Sequence, residues 1–393
     1  MTGVLFKRSK LHFYFYRDGI ESGFYSFIIF IRVFRIEDSI SYSMFKTMRS
    51  LFAILLLLPL SLLTAQPAKY DSILLKHLKE QRLVGLSVGI IENGKIIYSK
   101  AYGIANLETE TVAGENAVYK IGSLSKQFIA TAIVKLAHEG KLALNDPVHK
   151  YFTDAPKSWA SITLIHLLNH TSGLKRESPE FDAMANQPDE MLIKAAYPDT
   201  LVFPTGTRWQ YCNLGYFMLA EIIRNVSGQA FSTYMVQQVF NPAGLKNTRA
   251  TSLTDLIPNR VNGYHSGYGG TWLNSLNYVA LRPSGAFLST IPDLLQWELN
   301  IQQSAFLNKE TWESMWTTTV KTNTSTNAPS YGYGWYINSF KNHRLIYHGG
   351  SLPGFRAMYY RFPDENNAIL ILCNTDHANL TSLANELAGV WYK

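Results

Sequence analysis

Strand-forming sequence stands at the two ends of the folding part of this chain, with helix-forming sequence between, and this separation narrows the architecture most. Near the front, Leu86–Ile91 and Lys95–Lys100 are apolar runs separated by Glu92-Asn93-Gly94. Asn-Gly between such runs predicts a two-residue hairpin, because a type I′ turn needs positive φ at both central residues. Towards the end, Tyr333–Asn338, Arg344–His348, Ala357–Phe362 and Ala368–Asn374 read as strands. Between them, Phe128, Ile129, Ala132, Ile133, Leu136 and Ala137 recur at helical spacing and predict a helix from Ser123 to His138, stopped by Gly140. Further helices are expected over Lys69–Glu80, Leu214–Asn225, Asp293–Gln303 and Leu380–Tyr392. The expected fold class is α+β: one antiparallel sheet built from both chain ends, flanked by helices, with a helical insert.

The stretch ahead of this pattern has a different character. Leu51–Leu63 is an apolar run following Lys46 and Arg49, and Leu63-Thr64-Ala65 supplies a small residue before Gln66. A charged start, a 13-residue apolar core and a small exit residue predict a secretory signal peptide. The run is shorter than the roughly 20 residues of a membrane-spanning helix, and Pro59 interrupts it. An uncleaved membrane anchor is the rival reading. Met44 and Met48 both lie where a start would give an ordinary leader. The expected organisation is therefore an upstream extension outside the fold at 1–43, a signal peptide at 44–65, and one domain at 66–393. Such a chain would be exported to a periplasmic or extracellular, oxidising space.

The formal charge of +7 is unevenly placed. Residues 1–49 hold eight Lys/Arg and four Asp/Glu, so the remaining 344 residues carry only +3, without a dense basic run. Nucleic-acid binding needs a concentrated basic face, so no nucleic-acid partner is expected. Cys212 and Cys373, the only cysteines, make neither a disulfide framework nor a closed tetrahedral metal site, and leave one bridge open.

Three short motifs carry chemistry. Ser123-Leu124-Ser125-Lys126 places a hydroxyl and an amine three residues apart, on one face of a helix. A lysine desolvated there loses proton affinity and can take the hydroxyl proton. Tyr211-Cys212-Asn213 and His348-Gly349-Gly350 are the other two. Each pattern occurs twice, at Ser43…Lys46, Tyr336…Asn338 and His265…Gly267 as well, so no motif is specific alone. Context separates the copies: Ser123 opens an apolar helix, Tyr211 and Asn213 precede one, and His348 ends a strand before two glycines that admit close backbone approach.

Together the motifs resemble the serine β-lactamase and penicillin-binding-protein superfamily, in the branch of class C β-lactamases, D-peptidases and related esterases. Four flanks extend the likeness over Lys69 to Trp391: Tyr119-Lys120-Ile121-Gly122, Leu167–Leu174 (LLNHTSGL), Ser284–Thr290 (SGAFLST) and Tyr331–Trp335 (YGYGW). The resemblance implies a β-lactamase/transpeptidase-like fold in which Ser123 is the nucleophile of an acyl-enzyme. Lys126 and Tyr211 would share the proton transfers. Asn213 would orient Lys126 and meet substrate, and the strand His348-Gly349-Gly350-Ser351 would pair with it. The backbone N–H groups of Ser123 and Ser351 would form the oxyanion hole. No metal or cofactor is implied, and the partner is a small-molecule or peptide-like substrate.

Two positions depart from the commonest pattern. His348 stands where Lys is usual, and a mostly neutral imidazole holds a substrate carboxylate less firmly than an ammonium. This favours esters or D-amino-acid amides over efficient β-lactam hydrolysis. Cys212 stands where Ser is usual, a small change. The competing function is a catalytically silent penicillin-binding-like protein that binds cell-wall peptides. His170 is expected to hold a turn, and Tyr331, Tyr333 and Trp335 to form core or cleft wall. Residues 175–200 and 250–280 are expected to border the cleft.

Overall fold

The computed structural model describes residues 68–392, except 183, 186, 251–254, 277–286 and 318. The expected extension and leader at 1–43 and 44–65, the Ser43…Lys46 copy and the start of Ser284–Thr290 lie outside the described residues. No helix among the described residues is long and apolar enough to cross a membrane.

The hairpin forms where Asn93-Gly94 placed it, with φ of 50° and 74° at those residues. It joins β1 (Gly85–Glu92) to β2 (Lys95–Asn106), and β3 (Thr111–Val112) extends that edge. The rest of the main sheet comes from the far end of the chain: β4 (Val320–Lys321), β5 (Ser330–Tyr331), β6 (Tyr336–Phe340), β7 (His343–Leu352), β8 (Phe355–Phe362) and β9 (Asn367–Cys373). The nine strands run in the order β3-β2-β1-β9-β8-β7-β6-β5-β4, every pair antiparallel. The two ends meet in the β1–β9 seam, where Leu86 pairs with Cys373 and Ile90 with Ile369.

Side chains alternate across a strand, so the seam feeds two apolar layers. Leu86, Val88, Ile90, Ile369 and Ile371 pack under α1 (68–80) and α5 (Leu380–Ala388), with Leu74, Leu383 and Leu387. Ala368, Leu370 and Leu372 point the other way, into the larger core with α2 (Ser125–His138), α3 (Asn213–Ser227) and α4 (Ile291–Gln302). A Cβ at Gly89 would lie 2.8 Å from side-chain atoms of Ile291 and Leu295, so β1 is bare where α4 crosses it. Burying apolar area at about 25 cal/mol per Å² makes these two layers the main stabilising term. The larger layer also encloses an ion pair, Glu298 of α4 to Arg361 of β8 at 3.0 Å, with the Tyr359 hydroxyl donating to Glu298.

Several boundaries differ from expectation. The segment from Ser123 opens with a 3-10 turn at Gly122–Leu124, and the α-helix begins at Ser125. His348 does not end its strand: β7 continues to Leu352, paired with β8 through Gly349↔Met358, Gly350↔Ala357 and Ser351↔Arg356. The last helix stops at Ala388 rather than Tyr392. Cys212 and Cys373 are both buried and free.

Candidate active site

The site is assembled where the 3-10 turn meets β7. Gly122 has φ of 54°, and a Cβ there would lie 2.8 Å from the Ser351 nitrogen. A Cβ on Gly350 would stand 2.0 Å from the Ile121 carbonyl oxygen. The two glycines therefore permit a backbone-to-backbone approach that brings Ser351 alongside Ser123. The Ile121 N–H and the Ser125 hydroxyl tie the start of α2 to Phe287.

Lys126 lies on the following turn, fully buried, with Nζ 3.3 Å from Ser123 Oγ and donating to Asn213 Oδ1 at 2.8 Å. Burial pulls its ammonium down to about 7; Glu177 opposes that shift and Arg176 adds to it. Asn213 is the first residue of α3 and its side-chain amide donates to Glu177. Lys126 also faces the Tyr211 and Tyr216 rings, at 4.7 and 5.4 Å from their centroids.

Tyr211 is partly exposed to the cavity, but its hydroxyl oxygen is buried and finds no hydrogen-bond partner in good geometry. Burial pushes this phenol far above its ordinary range; the neighbouring Ser123 hydroxyl and Arg176 pull it back only partly. Cys212, between Tyr211 and Asn213, is the N-cap of α3: its sulfur accepts from the Gly215 N–H at 3.3 Å. The residue thus does the capping work for which serine is favoured.

His170 holds this loop. It takes the left-handed backbone conformation, φ 63°, and its Nδ1 accepts the Cys212 N–H at 3.2 Å. Its ring lies 4.4 Å from Tyr211 and 4.7 Å from Tyr331, centroid to centroid. Burial and the nearby Lys126 keep it neutral.

His348 is buried with both ring nitrogens engaged. Nδ1 donates to the Gly349 carbonyl at 2.6 Å, and the Tyr331 hydroxyl meets Nε2 at 3.1 Å. Burial and Lys126 push its pKa down to about 3, so it is neutral across the whole working range. On the site side of β7, β6 pairs only residues 343–347; from His348 to Leu352 that edge has no strand partner among the described residues.

Ser123, Tyr211, His348, Gly349, Gly350 and Ser351 line one cavity of about 570 Å³. Lys126 and Asn213 lie behind its wall. Arg176 and Tyr336 also line it, whereas no described residue of 250–280 does. Tyr336 belongs to the second Tyr-x-Asn copy, and its ring lies 5.2 Å from that of His348. His265 of the second His-x-Gly copy sits in the separate hairpin of Tyr264–Ser266 and Trp272–Asn274. A larger cavity of about 1020 Å³ lies elsewhere, among Glu190, Arg224, Phe231, Gln237 and Arg249. No cluster of metal-ligating side chains occurs among the described residues.

Sequence reasoning put the segment 175–200 at the border of the cleft without singling out Arg176 or Glu177, and left Tyr331 as core or cleft wall. Nothing in their spacing links them to the motifs; only their position just after LLNHTSGL, and within YGYGW, could have drawn notice.

A family model described as Beta-lactamase matches residues 71–388. The chain belongs to the Beta-lactamase family. Among curated members, penicillin-binding protein 4* of Bacillus subtilis is 29% identical over 330 residues, covering 78% of this chain and 72% of that protein. The octameric penicillin-binding protein homologue from Pyrococcus abyssi superposes with a TM-score of 0.74 at 26% identity, over 82% of this chain and 77% of that one. The D-amino acid amidase from Ochrobactrum anthropi SV3 reaches 0.73 at 19% identity, over 82% and 98%, a likeness of fold. The β-lactamase/transpeptidase-like architecture is therefore that of this chain.

Proposed function

We propose that this family member is an exported, cofactor-free serine hydrolase that forms an acyl-enzyme on Ser123 with ester, D-amino-acid peptide or β-lactam carbonyls. The observation that carries the reading is the buried Lys126 amine, 3.3 Å from Ser123 Oγ and oriented by Asn213. A lysine drawn down to about 7 has a substantial neutral fraction at neutral pH and can accept the serine proton. Oγ then attacks the carbonyl carbon. The oxyanion is met by the Ser123 and Ser351 N–H groups, worth about 100- to 1000-fold each in such sites.

Tyr211 keeps its proton because burial disfavours phenolate, which suits it to protonate the leaving group as the tetrahedral adduct collapses. Lys126 thus acts as base and Tyr211 as acid. Water, activated by the same pair, releases the acid product. The free edge of β7 at His348–Leu352 suits an extended substrate that adds as a strand. That stretch of β7, His348 to Leu352, offers no cation, which ranks esters and D-amino-acid amides above β-lactams.

The deciding experiment is intact-mass spectrometry of the 66–393 protein after exposure to a fluorophosphonate and, separately, a fluorescent penicillin. An adduct in wild type that is absent from Ser123→Ala is expected. No adduct from either probe, in folded protein, would instead favour a silent cell-wall-peptide binder. Export rests on the 44–65 leader, and mature protein from outside the cell should begin near Gln66.

A further inference from the structure

A phenol can protonate a leaving group only if it is aimed at it, and the Tyr211 hydroxyl makes no hydrogen bond in good geometry that would aim it. Its direction is therefore set by what holds the residue's backbone and ring. One residue holds both. The Gln210 N–H donates to the His170 carbonyl at 3.0 Å, and the Cys212 N–H donates to His170 Nδ1 at 3.2 Å. The amides on either side of Tyr211 thus end on His170. The imidazole also packs on the phenol ring: their centroids are 4.4 Å apart, against 6.3, 6.3 and 6.2 Å for Trp209, Tyr331 and His348.

Two features of His170 work against the fold. Its φ of 63° lies in the left-handed region, which residues with a Cβ seldom adopt. In that conformation its carbonyl and its ring both turn to 210–212. Because Nδ1 accepts, the proton of the neutral imidazole sits on Nε2, and that N–H is buried without an acceptor among the described residues. A buried donor left unpaired is costly. Strain and an orphaned donor at one residue, beside a reacting group, point to a task in the reaction. The chain just beyond is pinned separately: the Asn213 and Leu214 N–H groups donate to the Arg176 carbonyl at 2.8 and 3.1 Å, so the start of α3 has its own anchor.

We propose that His170 is the positioning residue for Tyr211: it brackets the tyrosine from both sides and aims its hydroxyl at the departing atom of the substrate. His170 is 1% exposed and does not line the cavity, so it acts through the tyrosine and touches no substrate. This rests on the reading of Tyr211 as the acid of the Ser123 reaction.

Two esters of one acyl group test it through kcat/KM, which reports acylation. Ethoxide needs a proton as it departs, whereas 4-nitrophenolate leaves without one. His170→Phe keeps a ring and removes the acceptor; His170→Asn tolerates positive φ and keeps an acceptor one bond from Cβ. His170→Phe is expected to lose about tenfold or more on the ethyl ester, as a misaimed group does, and about threefold or less on the 4-nitrophenyl ester. His170→Asn should recover most of that loss. In a Tyr211→Phe background, His170→Phe should cost nothing further, because the two changes remove one function. Equal losses on the two esters, or a loss undiminished in the Tyr211→Phe background, overturn the proposal. Should His170→Phe not fold, His170→Gly, which adopts positive φ freely, takes its place in both comparisons.

If wild type does not cleave the ethyl ester, fluorine NMR of protein labelled with 3-fluorotyrosine decides the placement, while the Ser123 adduct still judges the hydrolase. The Tyr211 signal, identified by its absence from Tyr211→Phe, should be single in wild type and His170→Asn, and broadened or divided in the variant without the acceptor. An unaltered linewidth there overturns the proposal.

Discussion

Lys126 is buried beside Ser123 and Asn213, and desolvation there works against its charged form. If the neutral amine is the base, the active fraction grows as pH rises through the lysine's pKa. The kcat/KM profile should therefore climb about tenfold per pH unit below about 7 and level off above it, read with a neutral ester. Lys126→Ala should lower the rate by about 100-fold or more and remove that limb. The opposite slope would make the ammonium, not the amine, the working form. Cys212 allows a gentler check: Cys212→Ser keeps a capping acceptor and should leave the melting temperature nearly unchanged. Cys212→Ala should cost about 1 kcal/mol by denaturant titration, as loss of an N-cap does.

The elements around the site depend on backbone contacts that side-chain patterns do not encode. Gly350→Ala would drive a methyl against the Ile121 carbonyl and part β7 from the turn that carries Ser123. The expected result is a kcat reduced by about 100-fold or more, from displacement of the Ser351 N–H, in a protein that still melts cooperatively. What was legible in the sequence was local. Asn93-Gly94 encodes its own turn, and Thr290 caps α4 by accepting from Asp293 N–H. Ser-x-x-Lys brings its two groups together through helical spacing alone. What was illegible is supplied by distant partners. β7 passes His348 because β8 pairs with it, although two glycines have little strand preference of their own. Arg176 and Glu177 reach the site because the chain loops back onto the start of α3, and Tyr331 because β5 lies in the sheet near β7. The neutrality of His348 was foreseen from its ordinary pKa; its strength comes from complete burial, which a motif does not display.

At the scale of the whole molecule, Glu298 and Arg361 join α4 to the sheet inside the larger core, 1% and 2% exposed at their side chains. Removing one partner strands a buried charge, so Glu298→Ala should cost about 3–5 kcal/mol in urea unfolding. Pairing Glu298→Leu with Arg361→Met should recover much of that loss, and equal losses in the single and double variants would argue against an electrostatic cause. The sheet has a further consequence, for the order of folding. Its β1–β9 seam joins residues nearly 290 positions apart, and closing so long a loop is entropically expensive and slow. The front hairpin leaves the ribosome with one edge unpaired and keeps it so until the last strand has been made. Folding is therefore largely a post-synthetic event, with a waiting interval in which that bare edge is open to a chaperone or to another copy of the chain.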